Sequence, residues 1–338
     1  MDALYSDYEI LMDDYEKVVA LESLGHGPEH PAIKQVMKRW VIESPSVAHE
    51  SVAGAVIDAS ARTASKISNA MLERMHGWLA TKERSIRKKI DTMTSKATTL
   101  QTNLEKLEPR MRLAENLPTH PIDTGSWTSK VCVDDKVDVE ACIKFADKPD
   151  VLDEVVKSYT VYTSAYGRPR TRKGESLELT KLGKSSSSAL RRASGLIGIS
   201  PINTAAEAWT LPGNVIVVKR GKGINSEIVD FAVARSGDYG DTIDPLDKDT
   251  ADRALKAAWK LTEHLKTRNV KRGVFSYTGI YEKIEELKAA KAEEIDKKAI
   301  TAATKRLRNA LAVEDALTTA MVRVCEGLTD YVKKSLRN

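Results

Sequence analysis

The densest chemistry in the chain is basic. Residues 168–192 hold eight Lys/Arg against two Glu, among them Arg168, Arg170, Arg172, Lys173, Arg191 and Arg192. Residues 82–89 add Lys82, Arg84, Arg87, Lys88 and Lys89 against the single Glu83. Clustered cations attract phosphate backbones by releasing condensed counterions, a contribution that requires no contact with the bases. No aromatic residue interleaves with the 82–89 run, and Tyr162 and Tyr166 only flank the other, so stacking on single strands is not expected. Nucleic acid, if bound, is expected to be a duplex held without regard to sequence.

Other stretches carry fragments of chemistry. Leu182-Gly183-Lys184 followed by four serines matches the end of a phosphate-binding loop, but the glycine required five residues before Gly183 is replaced by Glu178. Gly221-Lys222-Gly223 begins a dinucleotide-type glycine pattern whose last glycine is Ser226, and a second β-type run follows where a helix is needed, so a hairpin turn is expected there. His26, Glu29 and His30 are capable metal ligands, yet Gly27-Pro28 between the histidines breaks the continuous helix that would bring them to one face. An enzymatic site could arise only from residues brought together by folding within 118–245. The chain is read as a non-enzyme with no cofactor and no metal.

The elements that would position these residues follow from composition and spacing. With 41% hydrophobic, 30% charged and 5% aromatic residues in 338, the chain should bury a core and be mostly helical. Four regions are expected: an acidic segment 1–50, a long helix within 51–117, an α+β insert 118–245 carrying the basic Ser-rich loop, and helices over 246–338. The predicted fold class is mainly α, with long coiled-coil-like helices bracketing a small α+β insert. Its strongest support is the spacing of Ile86, Ile90, Met93, Ala97, Leu100, Leu104, Leu107 and Met111, which alternates steps of four and three. A 3.5-residue apolar repeat keeps one stripe facing a partner helix, either in this chain or in another copy. Pro109 is expected to end or kink that helix.

Within the insert, the stretch from Lys130 to Ala146 predicts a short hairpin followed by a helix, and residues 168–192 a flexible connection. The Val/Ile runs on either side of Gly221-Lys222-Gly223 predict an antiparallel hairpin. Toward the C-terminus, helices are expected over about 249–267 and 277–336, the second striped by Leu307, Leu311, Leu317, Met321, Val324, Leu328 and Val332.

Cys132, Cys142 and Cys325 are odd in number and far apart, which fits reduced thiols better than disulfides or zinc. The N-terminus carries acid where a secretory signal has Lys or Arg, and no apolar run reaches the roughly 18 residues a membrane span needs. A soluble protein with no membrane partner is expected.

Residues 1–50 hold ten Asp/Glu against four Lys/Arg, a net of −6, so the remainder carries +11. An acidic helix ending Val18-Val19-Ala20-Leu21-Glu22-Ser23-Leu24-Gly25, a long helix, the central stretch Thr124 to Ala146 and a long C-terminal helix together resemble the internal head, or inner body, proteins of giant phiKZ-like bacteriophages. The resemblance spans most of the chain. It implies a virion protein packaged inside the capsid with the DNA and present in the host cytoplasm during assembly and after infection. It implies other virion proteins, a second copy through the helices, and double-stranded DNA as partners. It also implies a prohead protease that cuts after Glu in a small-x-Glu pattern, which Ala48-His49-Glu50 fits at the end of the acidic segment. A different class of function, a cytoplasmic phage effector or regulator acting through its helical surface, is the alternative.

Overall fold

In the computed structural model the described residues are 14, 17–18, 20–21, 24–27, 29–39, 77, 92, 95–148, 151–152, 154–155, 179–197, 206–221, 228–235, 239–272 and 297–337, with the backbone alone at 268–272, 297–308, 310 and 311. The chain divides into two compact units, Met1–Arg87 with Tyr281–Lys297, and Lys88–Ile280 with Lys298–Asn338.

In the first unit, residues 14–21 include helical positions, and the chain leaves this helix at Gly25, whose φ of 81° only glycine adopts without strain. His26 N–H closes back on the Leu21 carbonyl at 3.0 Å. Helix α1 (Pro31–Arg39) then begins with proline in its first turn, where the missing N–H costs nothing. Its apolar residues Ile33, Val36 and Met37 are buried, as are Val18 and Asp14, and Arg39 bonds the Asp14 carboxylate at 2.7 Å.

The second unit is built around helix α2 (residues 95–113). Ala97, Leu100, Leu104, Leu107 and Met111 are all buried, in one core with Leu255, Leu261 and Leu265 of α5 (Lys248–Arg272) and Leu317, Met321, Val324, Leu328 and Val332 of α6 (Lys297–Ser335). The described part of the heptad stripe therefore faces the chain's own interior. Ile86, Ile90 and Met93 lie outside the described residues, as do the side chains of Leu307 and Leu311. Helix α2 continues through Pro109 to 113, so the proline does not end it: its fixed φ suits a helix, and the cost is one lost hydrogen bond and crowding against the carbonyl four residues earlier. Lys248 caps the end, its ammonium bonding the carbonyls of Met111 and Ala114.

The expectation of a mainly α, coiled-coil-like fold is overturned, because the fold is mixed α/β. The described residues contain eight strands in three sheets: β1 (Ile122–Asp123) with β8 (Thr242–Ile243), β2 (Cys132–Val133) with β3 (Lys136–Val137), and an antiparallel sheet in the order β4 (Lys184–Ser185), β5 (Glu207–Leu211), β6 (Val215–Arg220), β7 (Ile228–Val233). Helix α3 (Val139–Ala146) lies between β3 and β4 in the chain, and α4 (Ser187–Ile197) between β4 and β5. Strand β6 explains the difference. Val215 and Val217 join the large core, whereas Ile216 and Val218 form a second core with Ala208 and with Ala189 and Ala193 of α4. A continuous Val/Ile run is what a strand buried on both faces requires. Much of the apolar surface thus covers a central strand, and the apolar stripes of α2, α5 and α6 share one core with it.

The 168–192 connection is likewise not all loop. Residues 179–182 are helical, β4 follows, and α4 begins at Ser187 with the Ser186 hydroxyl accepting the Ala189 N–H at 3.0 Å. Serine is a strong helix cap, so a Ser-rich run can start a helix as readily as prevent one. Among the described residues no helix is long and apolar enough to cross a membrane.

Candidate nucleic-acid interface

The turn joining β2 to β3 is made by Asp134 and Asp135, with φ of 55° and 64°, the left-handed pair that a two-residue hairpin requires. Asn and Asp tolerate this backbone best among residues with a side chain. The carboxylates then organise everything near them. Asp134 accepts from Ser188 at 2.9 and 3.1 Å, from Ser186 at 3.3 Å, from Thr210 at 3.4 Å and from Arg192 at 3.2 Å. The phosphate-loop-like stretch Leu182 to Ser188 thus does hold an anion at a helix start, and the anion is the protein's own Asp134.

Arg192 is taken up in the same network. Its guanidinium also bonds Asp135 at 2.7 Å and the Asn214 side-chain amide oxygen at 3.3 Å, so it ties α4 to the β2–β3 turn instead of lying open to phosphate as expected from sequence. Buried Asn214, itself at φ 58°, joins the pieces by accepting from the Asp135 N–H and donating to the Asp135 carboxylate. Asn214→Ala is expected to lower stability by about 1–3 kcal/mol through stranded partners, with a further ~1–2 kcal/mol for alanine in a left-handed backbone. Urea unfolding monitored by circular dichroism measures this, and an unchanged midpoint would contradict the role given to Asn214.

A second arrangement lies beside this network. Helix α3 starts at Asp138, whose carboxylate accepts the Ala141 N–H at 2.9 Å. Its acids are drawn to α5: Arg253 grips Glu140 with two bonds of 2.7 Å, and Lys260 meets Asp147 at 2.6 Å. The hydrogen bonds from Arg253 hold the Glu140 carboxyl below its usual range and keep the Arg253 guanidinium correspondingly harder to deprotonate. Lys144 lies in the last turn of α3, and Lys148 follows just past the helix end. They line a cleft of about 170 Å³ together with Lys181 and Lys184, over a floor that includes Phe145 and Leu182. Among the described residues no carboxylate lines it. Lys148 donates to the Lys181 carbonyl at 2.8 Å, and the one described ion pair of Lys184 is a long 3.7 Å contact to Asp138. Gly183 fixes the far wall: a Cβ there would lie 2.4 Å from the Thr210 carbonyl oxygen, so only glycine allows the chain to press against β5.

Of the basic residues singled out in the sequence, Arg191 is exposed on α4 and Arg192 is engaged as above. Lys82, Arg84, Arg87, Lys88, Lys89, Arg168, Arg170, Arg172 and Lys173 lie outside the described residues, as do Ala48, His49 and Glu50. Lys144 and Lys148 were missed. Lys148 lies past the end of α3, so no helical spacing marked the pair, and only the fold brings them together with Lys181 and Lys184.

The remaining candidates are structural. Strands β6 and β7 pair from Val215↔Val233 to Arg220↔Ile228, so the Gly221 stretch is a hairpin connection, and Arg220 bonds Asp230 across it. The His26 and His30 rings sit 4.6 Å apart, with His30 Nδ1 accepting the Ala32 N–H at 3.3 Å. Among the described residues no group of three or more His, Cys, Asp or Glu is placed to hold a metal. All three cysteines are free and buried. Desolvation pushes Cys132 up to about 12 and Cys325 up to about 11, and raises Cys142 as well, so the thiols stay protonated and poorly nucleophilic at neutral pH.

No protein-family profile, curated protein or solved structure matches the chain.

Proposed function

We propose that this chain is a non-enzymatic protein of a phage head interior, of the phiKZ-like internal head class, that holds double-stranded DNA by its backbone phosphates. The observation that carries this reading is the lysine cleft, where Lys144, Lys148, Lys181 and Lys184 line one cavity with no acid among the described residues of its walls. At about 170 Å³ it is smaller than the roughly 300–1,000 Å³ of sites that enclose a small molecule, so it suits a phosphate on a polymer that remains outside. Exposed Arg191 extends the same chemistry along α4. The charge of +11 beyond residue 50 supplies longer-range attraction, which the −6 of residues 1–50 opposes until a prohead protease cuts after Glu50. Burial of Leu100, Leu104 and Leu107 within the chain counts against an effector that docks through this helical stripe.

Mass spectrometry of nuclease-treated, intact particles tests the placement. The chain is expected among the internal proteins, beginning at Ser51 where the junction is cut. Its absence from intact particles contradicts the proposal, and an abundant peptide spanning Ala48 to Ala53 removes the processing step.

A further inference from the structure

A second cavity, of about 280 Å³, lies between β1 and the last turns of α6, lined among others by Ile122, Asp123, Asp330, Lys333, Lys334 and Arg337. Basic residues at a helix C-terminus ordinarily do no more than complement the helix dipole, equivalent to about half a negative charge. Here there are three cations, and among the described residues none of the three has a carboxylate within 4.0 Å. Lys334 stands 5.9 Å from the centroid of the buried Trp127 ring, which in turn packs 4.9 Å from Tyr331, so this wall is fixed by the core. Asp330 is half-buried, and desolvation raises its carboxyl, reinforced by Glu326 and opposed by Lys130, Lys333 and Lys334.

We propose that this cavity binds a phosphate that keeps a protonated oxygen, with Arg337, Lys333 and Lys334 neutralising the oxyanion and the Asp330 carboxylate accepting the P–OH hydrogen bond. The two carboxylates and three cations among the described residues of the lining sum to one net positive charge, which matches a singly charged phosphate. A guanidinium offers paired donors in the plane of two phosphate oxygens, and the ammonium groups act as point charges. The carboxylate decides which anion enters. It repels one with no proton, such as sulfate or a DNA phosphodiester at neutral pH, but accepts from one that retains a hydroxyl. This site is therefore distinct in ligand from the lysine cleft, and inorganic phosphate and a phosphate monoester share its chemistry.

Calorimetric titration of the full chain with inorganic phosphate, glycerol 3-phosphate and sulfate near pH 6 tests the assignment. Saturable one-to-one binding of phosphate is expected, at least about tenfold tighter than sulfate, in line with one charge-assisted hydrogen bond. The monoester arm distinguishes the sources: binding equal to phosphate assigns a phosphorylated small molecule, and weaker binding the free ion. Lys333→Ala with Arg337→Ala, both at exposed positions, should weaken phosphate at least about tenfold, whereas Lys96→Ala with Lys106→Ala, exposed on α2, should leave it unchanged. Asp330→Asn should retain binding and lose the preference over sulfate. Equal affinity for phosphate and sulfate in the wild type, no saturable binding, or indifference to the Lys333/Arg337 pair overturns the proposal.

Discussion

Leu104→Ala is expected to lower the free energy of unfolding by about 2–5 kcal/mol, the range for deleting a buried leucine and leaving a partly collapsed cavity. Leu104 is among the largest fully buried side chains and lies in the core shared with α5 and α6. Alanine is the better helix former, so any loss comes from packing and not from weakened helix propensity. Leu113, on the same helix and 84% exposed, supplies the internal comparison: Leu113→Ala should stay within about 0.5 kcal/mol of wild type. Urea unfolding followed by circular dichroism measures both. Equal effects at the two positions, or none at Leu104, would show that α2 does not seat its heptad stripe in this chain's interior.

Changing Lys144, Lys148, Lys181 and Lys184 together to alanine is expected to weaken duplex binding strongly while leaving the fold intact. Each lysine that neutralises a phosphate contributes about 0.9 to the slope of log K against log salt concentration. Four together account for a slope of about −3.6, which corresponds to roughly a hundredfold change in affinity between 50 and 200 mM salt. The 3.7 Å approach of Lys184 to Asp138 lies at the surface and the Lys148 bond to the Lys181 carbonyl is exposed, so the loss of these two contacts should cost little stability. Gly183, which sets the far wall of the cleft, is untouched by these substitutions.

Local chemistry was legible wherever it lay within a few residues. The β2–β3 hairpin and the helix after it, the β6–β7 hairpin, the stop at Gly25 and the burial of Leu317 through Val332 all follow from turn residues and spacing. What misled was pattern without partner. The heptad stripe of α2 has the same spacing whether its neighbour is a second copy or, as here, a core containing β6, and nothing local distinguishes the two. Strand β5, Glu207–Leu211, is short; Pro212-Gly213-Asn214 turns the chain after it, and its pairing with β6 from Leu211↔Val215 onward makes it a strand. The four serines from Ser185 to Ser188 read as loop because their composition is polar, but Asp134, distant in sequence, satisfies the hydroxyls of Ser186 and Ser188 and lets α4 begin there. The same long-range contact removed Arg192 from the candidate site. Lys144 and Lys181 become neighbours only when α3 meets the turn before β4, so the cleft belongs to tertiary structure and not to any motif.

Fluorescence anisotropy with two duplexes of unrelated sequence, titrated with the full chain from 50 to 200 mM salt, tests the central claim most directly. The account predicts the same affinity for both duplexes at each salt concentration and a steep linear fall in log K. It also predicts a slope shallower by about 3.6 in the four-lysine variant. A variant slope equal to that of the wild type, or a marked preference for one duplex, would contradict a lysine cleft that holds DNA by its phosphates alone.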